Sequence, residues 1–130
     1  MEGKILSMIF LVVVASTHAT SQQDEKRDET KCCCTTYEIS ICLSEVNRNV
    51  DGDLNETYRQ AIAMVEKSNK EDLDSLKDAH RKWLDYRDAE CKAEYGLWGG
   101  GSGGPNARAM CLIRLTKERT ADLKSTYLER

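Results

Sequence analysis

Trp83-Leu84-Asp85-Tyr86-Arg87-Asp88-Ala89-Glu90-Cys91, followed by a glycine-rich stretch over residues 96–104, by Cys111 and by Leu115-Thr116-Lys117-Glu118-Arg119-Thr120, decides the fold of this chain. Two helix-like stretches flank a glycine loop, and a cysteine on each side of the loop is placed to tie them together. Working upstream from Trp83, Leu73 and Leu76 extend the first stretch into a helix over about residues 69–95, with Gly96 as its natural stop. Downstream, Pro105 suits a first helical turn, and Met110, Leu112, Ile113, Leu115 and Leu123 supply the apolar positions of the next helix.

Helix starts elsewhere announce themselves by a capping oxygen three residues before a carboxylate, a pairing that satisfies free backbone amides. Thr35 with Glu38, Asp53 with Glu56, and Ser68 with Glu71 fit that pattern. The spacing therefore predicts a first helix over residues 36–49, ended by Gly52, and a second over residues 54–67 with Leu54, Tyr58, Ala61, Ile62 and Val65 on one stripe. No alternating strand pattern competes. The expected fold is all-α, a small disulfide-stabilised helical bundle of one short and three longer helices.

With 130 residues there is room for about one modest domain. The apolar run over residues 5–14, preceded by Lys4 and followed by Ala15-Ser16-Thr17-His18-Ala19, reads as a secretory signal peptide cleaved near Ala19, and it is too short to favour a bilayer span. Residues 20–31 form a polar, charged and flexible segment, and residues 32–130 the helical domain. The cysteines at 32–34 follow a charged stretch rather than the apolar run, which argues against a lipid anchor and for a chain with no stable membrane attachment after cleavage.

All six cysteines, Cys32, Cys33, Cys34, Cys42, Cys91 and Cys111, lie beyond that leader, and an even number in a small exported chain favours disulfides. Adjacent cysteines seldom pair because the ring they close is strained. The economical assignment joins one cluster member, taken as Cys32, to Cys42, and Cys91 to Cys111; exchange among Cys32, Cys33 and Cys34 stays open. The two left over are a strained vicinal pair, an intermolecular bridge, or thiols paired only in another redox state. A copper or zinc thiolate site is disfavoured, since His80 is the single imidazole beyond the leader and stands far from the cluster. Closing the loop between Cys91 and Cys111 contributes on the order of 3 kcal/mol in the chain-entropy picture.

Other chemistries find little support. Asp85, Asp88 and Glu90 point to different faces of a helix and form no acid-base pair. No serine, histidine and acid arrangement is present, and the glycine run lacks the lysine of a phosphate loop, so the chain reads as a non-enzyme without a cofactor. A net charge of −3, with basic residues interleaved among acids, argues against nucleic acid. Residues 47–58 imitate a calcium loop, but Tyr58 stands where the closing bidentate carboxylate belongs. Trp83, Arg87, Asp88 and Arg119 interrupt helix faces in a way that reads as a structural ion-pair and hydrogen-bond network.

Several segments together carry a resemblance: Leu54-Asn55 with Tyr58; Leu76-Lys77-Asp78-Ala79-His80-Arg81-Lys82-Trp83; Tyr86-Arg87-Asp88-Ala89-Glu90-Cys91; the glycines of residues 99–104 with Ser102; Cys111; and Leu115-Thr116 with Arg119 and Leu123. In this ordered combination the chain resembles the LprI-type lysozyme inhibitor N-terminal domain family over nearly everything from Cys32 onward. It departs from the family's pattern at His80, in the length of its glycine loop and in the triple cysteine. The resemblance implies a small exported helical protein of the bacterial cell envelope, periplasmic or extracellular, with a protein partner, and it names lysozyme as that partner. The alternative is an envelope structural or stress-related interaction protein without lysozyme inhibition. For an inhibitor, the expected contact element is the disulfide-bounded loop, where Leu97 and Trp98 offer apolar anchors and Ser102 a polar group among glycines. The competing expectation is that Trp98 folds back to cap the bundle. The small negative charge gives weak steering toward a cationic partner.

Overall fold

The computed structural model describes residues 28–68 and 70–129. The expected leader, residues 1–19, and residues 20–27 of the polar segment lie outside the described residues. Three helices make the bundle: α1 (Thr36–Glu66), α2 (Lys70–Gly96) and α3 (Gly104–Leu123). A single 3-10 turn, Glu29–Lys31, precedes them, and a π-helical turn, Lys124–Leu128, follows. There is no strand among the described residues, so the all-α expectation is met.

The helix count is where the structure differs from the sequence reading. Residues 36–66 are one helix of 31 residues, about 46 Å long, that passes through Gly52 without a break. Its buried positions, Leu43, Val46, Val50, Leu54, Ala61 and Val65, keep one helical phase across the glycine. A glycine inside a helix costs only about 1 kcal/mol relative to alanine. Burial of Val50 and Leu54 on either side, at about 1.5–3 kcal/mol per large aliphatic side chain, outweighs that. The Asp53–Glu56 pair therefore sits inside α1 and starts no helix. At the true start the expected box is present: Thr35 Oγ1 accepts from the Glu38 amide at 3.3 Å, and the Thr35 amide donates to Glu38 Oε2 at 2.9 Å.

α1 and α3 run in the same direction and α2 runs back between their ends. The Asn106 amide group donates to the Thr36 carbonyl, which sets the first turns of α1 and α3 side by side, and α3 packs against both other helices. The apolar interior falls into linked groups along the axis. Leu54, Ala61, Val65, Leu73, Leu76 and Leu123, with Tyr58, Ile62, Trp83 and Tyr127 against them, fill the end away from the glycine loop. Leu43, Val46, Val50 and Ile113 lie nearer the loop, joined by Cys91, Cys111 and Leu115.

Both cysteine pairs brace the loop end. The Cys91 and Cys111 sulfurs are 2.03 Å apart and those of Cys32 and Cys42 2.00 Å apart. Cys33 and Cys34 carry free, exposed thiols. Two cystines fit an oxidising compartment, and no helix among the described residues is long and apolar enough to cross a membrane. The polar segment's last residues, 28–31, are tied down: Asp28 caps the 3-10 turn by accepting from the Thr30 amide, and Lys117 Nζ reaches Glu29 Oε1 at 2.7 Å.

Candidate functional site

The end of α2, the glycine loop and the start of α3 form a pole with an unusual surface. Of the eight exposed large hydrophobic side chains among the described residues, six belong to elements meeting here: Tyr37 and Ile41 in the first turns of α1, Tyr95 at the end of α2, Leu97 and Trp98 in the loop, and Met110 in α3. Scattered apolar residues on a surface are ordinary, whereas a concentration at one place marks an interaction site.

The loop is shaped by its glycines. Gly99 and Gly100 take φ of 54° and 81°, the left-handed region that glycine enters at no steric cost, and they turn the chain after Trp98. Gly103 is required for a different reason. A Cβ there would lie 2.5 Å from Trp98 Cζ3, so the absent side chain is what lets the indole approach the backbone. The benzene edge of the Trp98 ring folds back on Gly103, while the residue remains 54 % exposed. Leu97, 87 % exposed, stands free at the turn, and Ser102 is exposed two residues before α3.

Beside Trp98 runs an open groove of about 690 Å³, lined by Ala107, Met110, Ile113 and Cys111 below and by Glu29, Glu94, Arg114, Lys117 and Glu118 at its edges. Arg114 Nη2 donates to Glu94 Oε1 at 2.6 Å, and the Lys117–Glu29 pair closes the other side. These rim pairs are half exposed, so each adds at most about 1 kcal/mol of stability. Their larger effect is to hold long side chains away from the apolar floor.

Trp83, Arg87 and Arg119 come together in the middle of the bundle, away from the loop; Asp88 pairs with its chain neighbour Arg87, and Arg119 Nε is buried without a hydrogen-bond partner among the described residues. The Arg87 guanidinium lies 5.3 Å from the Trp83 ring centre and that of Arg119 6.0 Å, on a ring whose negative faces attract cations. Arg87 also donates to Asp88 Oδ1 at 3.1 Å, to Asp51 Oδ1 at 3.0 Å and to Thr116 Oγ1 at 3.3 Å. Sequence reasoning missed Asp51 and Thr116 as members, because their contacts to Arg87 span 36 and 29 positions. It also missed the stack of His80 on Tyr58, ring centroids 3.8 Å apart, which continues to Trp83 at 5.9 Å. His80 is buried, and burial first, then the nearby Arg119 and Arg87 charges, lowers its pKa below the usual imidazole value.

Residues 47–58, the calcium-like stretch, are helical throughout, so their oxygens are spread around α1 instead of wrapping a centre. Among the described residues no three His, Cys, Asp or Glu side chains converge as a metal site would need.

Comparison with known proteins gives this arrangement a family. The chain is 36 % identical over 97 residues to uncharacterized protein R02472 of Rhizobium meliloti (strain 1021), covering 67 % of this chain and 70 % of that protein. It is 37 % identical over 62 residues to uncharacterized protein YecT of Escherichia coli (strain K12), covering 42 % of this chain and 38 % of that protein. No solved structure matches. The family described as "Lysozyme inhibitor LprI" matches residues 20–123, a span holding the whole of α1 and α2, the loop and α3, and the chain belongs to that family.

Proposed function

We propose that this protein is an exported, periplasmic or extracellular inhibitor that binds a lysozyme through its loop pole, with Leu97 and Trp98 as anchors and Ser102 as a polar contact. The observation that carries the reading is the exposure of Leu97 and Trp98 on a loop bounded by the Cys91–Cys111 cystine, beside the apolar groove that Met110 lines. A protruding loop with an apolar tip is suited to a concave partner, and a muramidase cleft is concave. Anchors on a cross-linked loop lose less conformational freedom on binding, which favours affinity. Membership of a family described as lysozyme inhibitors supports a lysozyme as that partner. The protein's own chemistry is then steric: it occupies the cleft and transfers no group, so no catalytic residue is assigned. Trp83, Arg87 and Arg119 act at a distance, by fixing α2 against α3 behind the loop, and Asp88 steadies Arg87.

Cell-wall lysis titrated with the oxidised protein, against several lysozyme types, tests this. Dose-dependent inhibition that is lost on reduction of the cystines is the expected result. No inhibition of any type would remove the lysozyme reading and leave an envelope interaction role with another protein.

A further inference from the structure

Four of the six cysteines are joined, and the remaining two are adjacent, exposed and in contact with each other. The Cys34 thiol donates to the Cys33 sulfur across 3.1 Å. Cys34 also has a φ of 97°, and it is the one residue other than glycine among those described to enter the left-handed region. A side chain with a Cβ is strained there, and such strain concentrates at functional positions. The pair sits just before Thr35, the cap of α1, so it borders the first turn that presents Tyr37. Nothing in the proposed inhibition uses these thiols.

We propose that Cys33 and Cys34 form a redox-active dithiol that exchanges reversibly with disulfide-bearing molecules of its compartment. The Cys33 thiolate attacks one sulfur of the external disulfide, forming a mixed disulfide and expelling the first thiolate. Cys34 then loses its proton to solvent and attacks the Cys33 sulfur of the mixed disulfide, closing the Cys33–Cys34 bond and expelling the second thiolate. Two electrons pass from the dithiol to the external disulfide, and the two protons released by the cysteines balance the two thiolates. The geometry sets the order: the Cys34 thiol points at the Cys33 sulfur, so Cys34 is placed to resolve a mixed disulfide formed there. A disulfide between neighbours is strained, and strained exposed disulfides are the readily reduced ones, so external thiols reverse the reaction.

The test equilibrates the purified protein with mixtures of glutathione and glutathione disulfide across a range of ratios, followed by acid quenching, thiol alkylation and peptide mapping by mass. The expected result is that two thiols per chain disappear and return reversibly as a Cys33–Cys34 link, with the other two cystines unchanged. In Cys34→Ser the same treatment is expected to stop at a glutathione adduct on Cys33, whereas in the unaltered protein that adduct is expected not to accumulate, because Cys34 resolves it. Thiols that stay free at every ratio overturn the proposal. So does oxidation that links Cys33 or Cys34 to Cys32, to Cys42 or to a second chain, and so does Cys34→Ser without an adduct.

Discussion

At the end of the bundle away from the loop, Leu54, Ala61, Val65, Leu73, Leu76 and Leu123 are buried together and Tyr127 folds over them from the terminal π-helical turn. At the loop pole, Tyr37, Ile41, Leu97, Trp98 and Met110 remain exposed, and both cystines are found there. The far end is closed by hydrophobic burial, which is proportional to the apolar area removed from water. The loop pole leaves such area in water, and covalent links supply the constraint that burial would otherwise provide. An end that withholds its apolar side chains from the core keeps them available for a partner.

The largest expected effect breaks the far end. Leu123→Ala or Leu54→Ala removes a side chain at most 2 % exposed and should destabilise by about 2–5 kcal/mol in chemical denaturation. Next comes the loop pole itself. Cys91→Ser with Cys111→Ser opens a link spanning 20 positions and should cost about 3 kcal/mol. Amide exchange sharpens the comparison: in the double serine variant, protection should fall around residues 96–111 while residues 54–65 keep theirs. Equal loss at both ends would mean that the two poles are one cooperative unit.

Arg87→Ala falls between the poles and removes the donor that joins α2 to Asp51 and Thr116, with an expected cost of about 1–3 kcal/mol. His80 gives a pH test of the same region. Its folded pKa lies below its unfolded value near 6.5, so the unfolded chain binds the proton first as pH falls. Stability from this group is present above about pH 6.5 and is lost as pH drops toward the folded pKa. Melting temperature should fall over that window, and His80→Gln should flatten the slope. Glu38, held low by the Thr35 amide, contributes its own loss only as pH falls below the ordinary carboxylate value. The smallest stability effect is expected for Trp98→Ala, within about 1 kcal/mol, because the indole rests on glycine backbone and is half exposed.

Much of this fold was readable in the chain because helix signals are local. The Thr35–Glu38 box, the stripes of α2 and α3 and the stop at Gly96 needed only neighbours a few residues apart. Gly52 misled for the same reason: read locally it ends a helix, while the phase kept from Val46 through Val50 and Leu54 to Ala61 says otherwise. The network around Trp83 was half visible. Arg87 and Arg119 stood out on helix faces, but Asp51 was read only within the calcium-like stretch and Thr116 only within its own helix segment, since tertiary pairing leaves no mark on sequence spacing. Trp98 was legible as a candidate anchor; that Gly103 would cradle it required the folded loop.

The most direct test of the central claim is a binding titration of one lysozyme against four versions of the oxidised protein: unaltered, Leu97→Ala with Trp98→Ala at the loop pole, and Met64→Ala and Tyr86→Ala, which alter the exposed apolar residues elsewhere. The expected result is at least about a tenfold loss of affinity, roughly 1.4 kcal/mol, for the loop variant alone, with both control variants unchanged. Binding that survives loss of Leu97 and Trp98, or that fails with Met64 or Tyr86, would contradict it.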